Sequence, residues 1–319
     1  MNYKTKIIEK NKKNILFVAK KIKDGEVVAL PTETVYGLAG RFDKDSTIKK
    51  IFSIKNRPLY NPLIIHYGSL EHALEDIYLD SRAKVLAKNF WPGPLTIVAK
   101  AKNKFISKIA TSGLNTVAIR VPSNKIALAV LNQFNLPFAA PSANRYGKIS
   151  PTCAKDVFDE LNGKIATILN GGTTQVGIES TVIDLSKKQT RILRYGGISK
   201  ESINKFIELD KNNINIKIKS PGLSSSHYKP DKPIRINAKR PKKNEAWLAF
   251  GEKPDYFKGV CLSLSKKKCL NESAKNLYKM LRLLDKKNVK SIAIQKIPEK
   301  GIGFAINDRL NRAAYFKEK

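Results

Sequence analysis

Thr34, Lys55, Arg57, Asn61, His66, Thr116, Arg120, Ser142, Ser150, Ser180 and Arg194 have the chemistry to hold two anions at once. They are cations, hydroxyls, an amide and an imidazole, gathered in or beside short loops and at the ends of apolar runs. A guanidinium grips carboxylate or phosphate through paired hydrogen bonds, and a lysine adds a movable point charge. Such a set suits positioning and charge stabilisation during phosphoryl or nucleotidyl transfer. Spacing alone goes no further than a nucleotide or RNA site. Other chemistries lack their parts. Gly147-Lys148 has no upstream glycine for a G-x-x-x-x-G-K-[ST] loop and is followed by Ile149, and Gly301-Ile302-Gly303 is only the start of a dinucleotide fingerprint. There is no G-x-S-x-G elbow and no Cys/His pairing to suggest covalent catalysis.

The elements that must carry these residues can be read around Lys55 to His66, KNRPLYNPLIIH. Ile48, Ile51 and Phe52 share a helical face that closes at Lys55, and Pro58 disfavours continuation through Arg57. Leu63, Ile64 and Ile65 then read as a buried strand, so both cations sit on a helix-to-strand connection, where open α/β sheets carry ligand groups. Upstream, Ile15, Val18, Ala19 and Ile22 follow helical spacing up to Asp24-Gly25, and residues 27–30 form a strand running into the polar turn Pro31 to Gly37. Downstream, helices are predicted over 69–77 and 81–90, the second capped by Ser81, with a strand over 95–99. Over 116–121, Val117, Ile119 and Val121 face one way and Thr116, Ala118 and Arg120 the other, as in a central strand. Residues 138–140 end in the small-residue loop Pro141-Ser142-Ala143-Asn144, which lets backbone approach a ligand. A helix over 152–161 and a strand over 166–169 follow. Gly177-Ile178-Glu179-Ser180-Thr181 then opens a strand that pairs with 190–194 as a hairpin.

A chain of 319 residues suggests about two domains. The Pro- and Ser-rich text SPGLSSSHYKPDKP marks the boundary, giving domains over 1–219 and 235–319 with a linker over 220–234. In the tail, strands over 247–250, 260–264 and 291–297 alternate with helices over 273–284 and 307–316, a small α/β unit. The formal charge is +33, and residues 211–319 hold 27 Lys+Arg against 9 Asp+Glu. Such a field attracts polyanions, although a lysine-rich composition also arises from codon bias and a solvated surface. Cys153, Cys261 and Cys269 are odd in number and form no Cys-x-x-Cys pair, so neither a disulfide framework nor a zinc site is expected. No apolar run spans a membrane, and Ile15 to Ala19 is too short for a secretory core, so a cytoplasmic location is expected.

PTETVYGL, KNRPLYNPLIIH, FWPGPLT, VAIRVP, PSAN, GIESTVID and the SPG...HY.P linker occur in the order seen in YrdC-like threonylcarbamoyl-AMP synthases. The first 210 residues resemble the YrdC module, and IPEKGIGFAINDRLNRAA resembles the accessory domain of the two-domain form. The resemblance implies an α/β fold with a twisted open mixed sheet and flanking helices, followed by a small Rossmann-like domain. It also implies that L-threonine, bicarbonate and ATP give threonylcarbamoyl-AMP and pyrophosphate, the ATP carrying Mg²⁺ and no prosthetic group being needed. Other proteins would pass the group to adenosine beside the tRNA anticodon, and direct RNA contact is a further implication. Carried over by residue, Thr34, His66, Arg120, Ala140 and Ser180 would hold threonine. Arg57, Asn61, Thr116, Ser142, Ser150, Arg194 and Tyr228 would hold the nucleotide, with Tyr228 folding over as a lid. Lys55 and Arg57 would be the catalytic cations. The family's linker carries basic and aromatic residues where this chain has Leu223-Ser224-Ser225-Ser226, a change expected to loosen closure. Two other readings compete: a non-enzymatic RNA-binding module, and carbamoyl transfer of the kind used in hydrogenase maturation. The second of these lacks its acylphosphatase and zinc-finger segments here.

Overall fold

Short β-branched runs separated by amphipathic helices build two α/β units in a computed structural model that describes residues 3–102, 106–210 and 227–315. The first runs β1 (Lys6–Glu9), α1 (Lys12–Lys23), β2 (Val28–Pro31), β3 (Tyr36–Arg41), α2 (Asp45–Lys55), β4 (Ile64–His66), α3 (Leu70–Asp76), β5 (Ile77–Tyr78), α4 (Ser81–Phe90), β6 (Leu95–Ala101), β7 (Thr116–Arg120), α5 (Lys125–Asn132), β8 (Phe138–Ala139), α6 (Ala154–Leu161), β9 (Thr167–Asn170), β10 (Thr181–Asp184), β11 (Arg191–Arg194) and α7 (Lys200–Asn204). The second runs β12 (Ile234–Ala238), β13 (Glu245–Ala249), β14 (Cys261–Ser263), α8 (Leu270–Asp285), β15 (Ser291–Gln295) and α9 (Gly303–Ala314).

The first unit is one mixed sheet in the order β1-β9-β2-β3-β8-β4-β7-β6-β10-β11, with β5 beside β6. The second is a parallel sheet in the order β12-β15-β13-β14. The α/β class, the mixed sheet with flanking helices and the small C-terminal α/β unit are as the sequence predicts. β7 is central, between β4 and β6. Its Val117 and Ile119 enter the main core while Ala118 packs on the opposite face, the alternation read from the sequence.

Several local expectations are corrected. The helix over 81–90 is capped by Asp80, whose carboxylate accepts from Ala83 N at 3.0 Å, because Ser81 is already the first helical residue. The helix predicted over 69–77 stops at Asp76, since Ile77 pairs with Ala101 in β5. α5 is a helix that the sequence-based expectations did not include, and it turns Ala127, Val130 and Leu131 to the core at helical spacing. The last helix begins at Gly303, earlier than predicted, and Phe316 and the Leu223–Ser226 departure lie outside the described residues.

The two units share a core. Val35, Ile149, Ile178 and Tyr228 from the first unit and the segment before β12 pack in one cluster with Leu248, Leu277, Tyr278 and Leu281. Gly177, at φ +80, lies so close to α8 that a Cβ would sit 2.5 Å from Lys275 Cα. Arg282 of α8 donates to Ile149 O and pairs with Glu160 at 3.3 Å. Gly177→Ala is therefore expected to destabilise the chain by about 1–3 kcal/mol, through left-handed strain and overpacking. Urea unfolding checks this, and an unchanged midpoint would refute the close approach.

Candidate active site

Parallel pairing of β4 with β7 sets His66 opposite Arg120, at the carboxyl ends of both strands, where parallel strands present ligand groups. Around them lies a cavity of about 50 Å³. The turn from β2 into β3 contributes Thr32, Thr34, Val35 and Gly37, and the α2–β4 connection contributes Arg57. The loop after β8 contributes Ala140, Pro141 and Ser142, and the loop before β10 contributes Glu179 and Ser180. Arg194 ends β11, and His227 and Tyr228 enter from the segment before β12. Three wider grooves lie elsewhere, one beside the exposed Lys49, Lys50 and Lys164, one beside Thr116 and one beside Arg145, Arg282 and Asp285. None brings buried guanidiniums and carboxylates together as this cavity does.

Arg120 is buried and engaged on every nitrogen. It donates from Nε to Gly93 O at 3.1 Å, from Nη1 to Thr34 Oγ1 at 3.0 Å and from Nη2 to Glu33 Oε1 at 2.5 Å. Those bonds use three of its five N–H groups. Arg57 donates from Nε to Asn61 O at 3.0 Å and from Nη2 to Asn61 Oδ1 at 2.6 Å and Pro62 O at 2.9 Å. Nη1 takes no part in these bonds. Burial brings the Arg57 guanidinium down to about 10, still charged at neutral pH. Arg194 donates from Nε and Nη2 to Ser180 O, at 3.1 and 2.9 Å, and from Nη2 to Ser180 Oγ at 3.1 Å. Ser180 Oγ also lies 2.8 Å from Thr96 Oγ1.

The His66 ring stacks on Phe138 with centroids 5.6 Å apart, and Nδ1 lies 3.3 Å from Ile64 O. Burial, helped by the neighbouring Arg120 charge, holds its pKa at about 3, so the ring is neutral at pH 7. With Nδ1–H donating to Ile64 O, Nε2 is left as an acceptor. His227 is likewise held at about 3, chiefly by burial.

Residues 20–196 match the Sua5/YciO/YrdC family model, described as "Telomere recombination", and residues 198–315 match the model described as "Threonylcarbamoyl-AMP synthase, C-terminal domain". A threonylcarbamoyl-AMP synthase of Bacillus subtilis is 39% identical over 325 residues, covering 95% of this chain and 94% of its own. The chain belongs to the Sua5/YciO/YrdC family. The crystal structure of P. abyssi Sua5 complexed with L-threonine superposes with a TM-score of 0.88 at 36% identity, covering 97% of this chain and 98% of that one. E. coli YciO, at 22% identity and a TM-score of 0.54, shares the fold over 60% of this chain and 96% of its own.

Of the residues that the family resemblance implies, Thr34, Arg57, His66, Arg120, Ala140, Ser142, Ser180, Arg194 and Tyr228 meet at the cavity. Lys55, Asn61 and Ser150 stand behind its wall. Lys55 reaches from the end of α2 to donate to Ser142 O and, at 2.5 Å, to Asn144 O, so it fastens the Pro141–Asn144 loop. Burial, then the Arg57 charge, pushes its pKa well below the usual lysine value. Asn61 holds Arg57, and Ser150 donates to Glu179 Oε1 at 2.6 Å. Thr116 lies in a different groove, with Asp80, Lys100 and Asp184. It shares a face with Arg120, but four residues of strand put about 13 Å between them.

Sequence reasoning gave no role to Glu33, Glu179, Thr32 or His227. Both carboxylates sat inside quoted motifs, and their signal was an acidic residue in a buried apolar turn. Glu33 pairs with Arg120, and Glu179 with Arg309 of α9 at 3.0 Å. Among the described residues no group of three His, Cys, Asp or Glu side chains could hold a metal ion, and both carboxylates are bound to arginine. That donor set fits a cation brought by phosphate oxygens better than a protein-held one.

The two buried imidazoles fix an acid response. A histidine titrates near 6.5 when unfolded and at about 3 here, so the unfolded chain binds more protons between those values. Stability is then complete above pH 6.5 and falls below it by up to about 1.4 kcal/mol per pH unit for each histidine. Urea midpoints between pH 8 and 5 should drop accordingly, and His66→Gln should flatten the slope. A flat profile down to pH 5 would contradict neutral burial.

Proposed function

We propose that this cavity joins L-threonine, bicarbonate and ATP into threonylcarbamoyl-AMP and pyrophosphate, for threonylcarbamoyladenosine modification of tRNA. The observation that carries the reading is the likeness to P. abyssi Sua5 complexed with L-threonine, matched over nearly the whole of both chains, together with a cavity where Thr34, His66, Arg120 and Ser180 converge. Arg120 takes the threonine carboxylate, His66 Nε2 accepts from its amine or hydroxyl, and Ser180 and Ala140 close that side. Arg57, Ser142 and Arg194 take the nucleotide, whose Mg²⁺ enters on the triphosphate as part of the substrate. The threonine amine and bicarbonate form a carbamate with loss of water. A carbamate oxygen attacks the α-phosphorus, and the bond to the β-phosphate oxygen breaks to release pyrophosphate. No protein nucleophile is needed: the residues supply orientation and charge.

A cavity of about 50 Å³ is smaller than the roughly 300 Å³ typical of ligand pockets. Binding both substrates therefore requires the wall to open, and His227 and Tyr228 enter that wall from the segment before β12. Among the described residues no helix is long and apolar enough to cross a membrane. Transfer to tRNA falls to other proteins. Contact with RNA would draw on the +33 charge.

The test is pyrophosphate release with each substrate omitted in turn: release should need threonine and bicarbonate together, and Arg57→Ala should cut it by about 100-fold or more. Release that persists without either substrate would sink the reading. Salt-sensitive RNA binding with no turnover would favour the RNA-module alternative.

A further inference from the structure

One wall of the cavity carries a buried carboxylate whose partners come mostly from the second unit. Glu179 stands beside Ser180 and is 6% exposed. Ser150 Oγ donates to it at 2.6 Å, Tyr278 Oη lies 2.9 and 3.1 Å from its two oxygens, and Arg309 Nε donates at 3.0 Å. Tyr278 belongs to α8 and Arg309 to α9, and both are buried. Their reach does not end at Glu179. The Tyr278 ring stacks on Tyr228 with centroids 5.7 Å apart, and the Arg309 guanidinium lies 5.5 Å from the centre of the same ring. Arg309 Nη1 also donates to Tyr195 O, next to Arg194. Two side chains from the second unit thus touch the Glu179 carboxylate, the Tyr228 ring and the chain end that carries Arg194. Among the described residues, none of their hydrogen bonds or ring contacts goes to Thr34, His66 or Arg120.

We propose that Tyr278 and Arg309 are positioning residues for the nucleotide half of the site, taking up the charge of Glu179 and holding Tyr228 and the end of β11. This rests on the reading given under Proposed function. Burial works against the Glu179 carboxylate, but the Arg309 and Arg194 guanidiniums and the Ser150 hydroxyl outweigh it and hold its pKa down at about 2. Tyr228, Tyr278, His227 and Lys55 also act on or feel this charge. Take away the Arg309 cation, and the strongest remaining attraction for Glu179 is Arg194. The carboxylate then competes with nucleotide phosphate for that guanidinium. The second unit in this way completes the site without touching substrate.

Steady-state pyrophosphate release by the full chain, with ATP and threonine varied separately, tests this. Arg309→Met should raise KM for ATP by about tenfold or more and leave KM for threonine within about twofold. Tyr278→Phe keeps the stacked ring and loses only the hydroxyl, so a rise of about threefold in KM for ATP is expected. Arg309→Lys should recover most of the loss. Equal rises in both KM values, a fall in kcat alone, or an unchanged KM for ATP in Tyr278→Phe would overturn the proposal. If Arg309→Met does not fold, Tyr278→Phe and Arg309→Lys decide. Calorimetry with a non-hydrolysable ATP analogue separates the two readings. Should the wild type bind the analogue without turning over, the proposed function fails, and weaker analogue binding by Tyr278→Phe still upholds the positioning role. Undiminished analogue binding by the variants overturns it, as does a wild type that binds no nucleotide.

Discussion

Burying positive charge is the constraint around which the first unit is built. Lys55, Arg57, Arg120 and Arg194 are each no more than 8% exposed, and stripping water from a charge costs several kcal/mol unless protein groups replace it. The chain replaces it in two ways. Arg120 gets a carboxylate, Glu33, plus the Thr34 hydroxyl and Gly93 O. Lys55 is given the carbonyls of Ser142 and Asn144, and Arg57 the carbonyls of Asn61 and Pro62 with the Asn61 side chain. Carbonyl oxygens solvate a cation without cancelling it. The Arg57 side of the cavity therefore keeps a positive field, and the Arg120 side is closer to balance. That asymmetry suits a small zwitterion on one side and a polyphosphate on the other.

Backbone geometry follows from those partners. The turn between β2 and β3 must point Glu33 and Thr34 inward together, and it is tied down from several directions. Thr32 Oγ1 bonds Val35 O at 2.7 Å and lies 2.8 Å from Thr34 Oγ1, and Val176 N donates to Glu33 O at 2.8 Å. The last of these bonds links the turn to the loop before β10, which carries Glu179 and rests on α8 through Gly177. Cavity, turn and second unit are thus one continuous packing problem, and Val35 and Tyr228 belong to the core of the second unit as much as to the cavity wall.

Much of this was legible in the sequence because local pattern and site coincide. Arg120 could be placed on a central strand from the alternation of Val117, Ile119 and Val121, and His66 at the end of an apolar run. Opposing them needed only that the two strands be parallel neighbours. The residues that stand away from the cavity do so for a common reason. Thr116 shares the face of Arg120 but not its end of the strand, and periodicity reports faces, not depth. Lys55 and Ser150 have the right chemistry and spend it on backbone and on Glu179, a choice that sequence cannot reveal. Glu179 meets Arg309 across 130 residues, a separation at which no spacing rule operates.

The same distance explains why the accessory unit is hard to interpret from composition. Its excess of lysine is a surface property, whereas its contribution to the cavity is one buried arginine and one buried tyrosine. Arg309 is 1% exposed and meets Glu179, Tyr195 and Tyr228. A charge in that setting cannot be solvated by water, so it fixes its neighbours as firmly as they fix it. Truncating it leaves a buried carboxylate whose strongest remaining attraction is Arg194, a cation that the proposed nucleotide site also uses. The energetic weight of the second unit at the site therefore rests on where one ion pair closes, not on how many charges its surface carries.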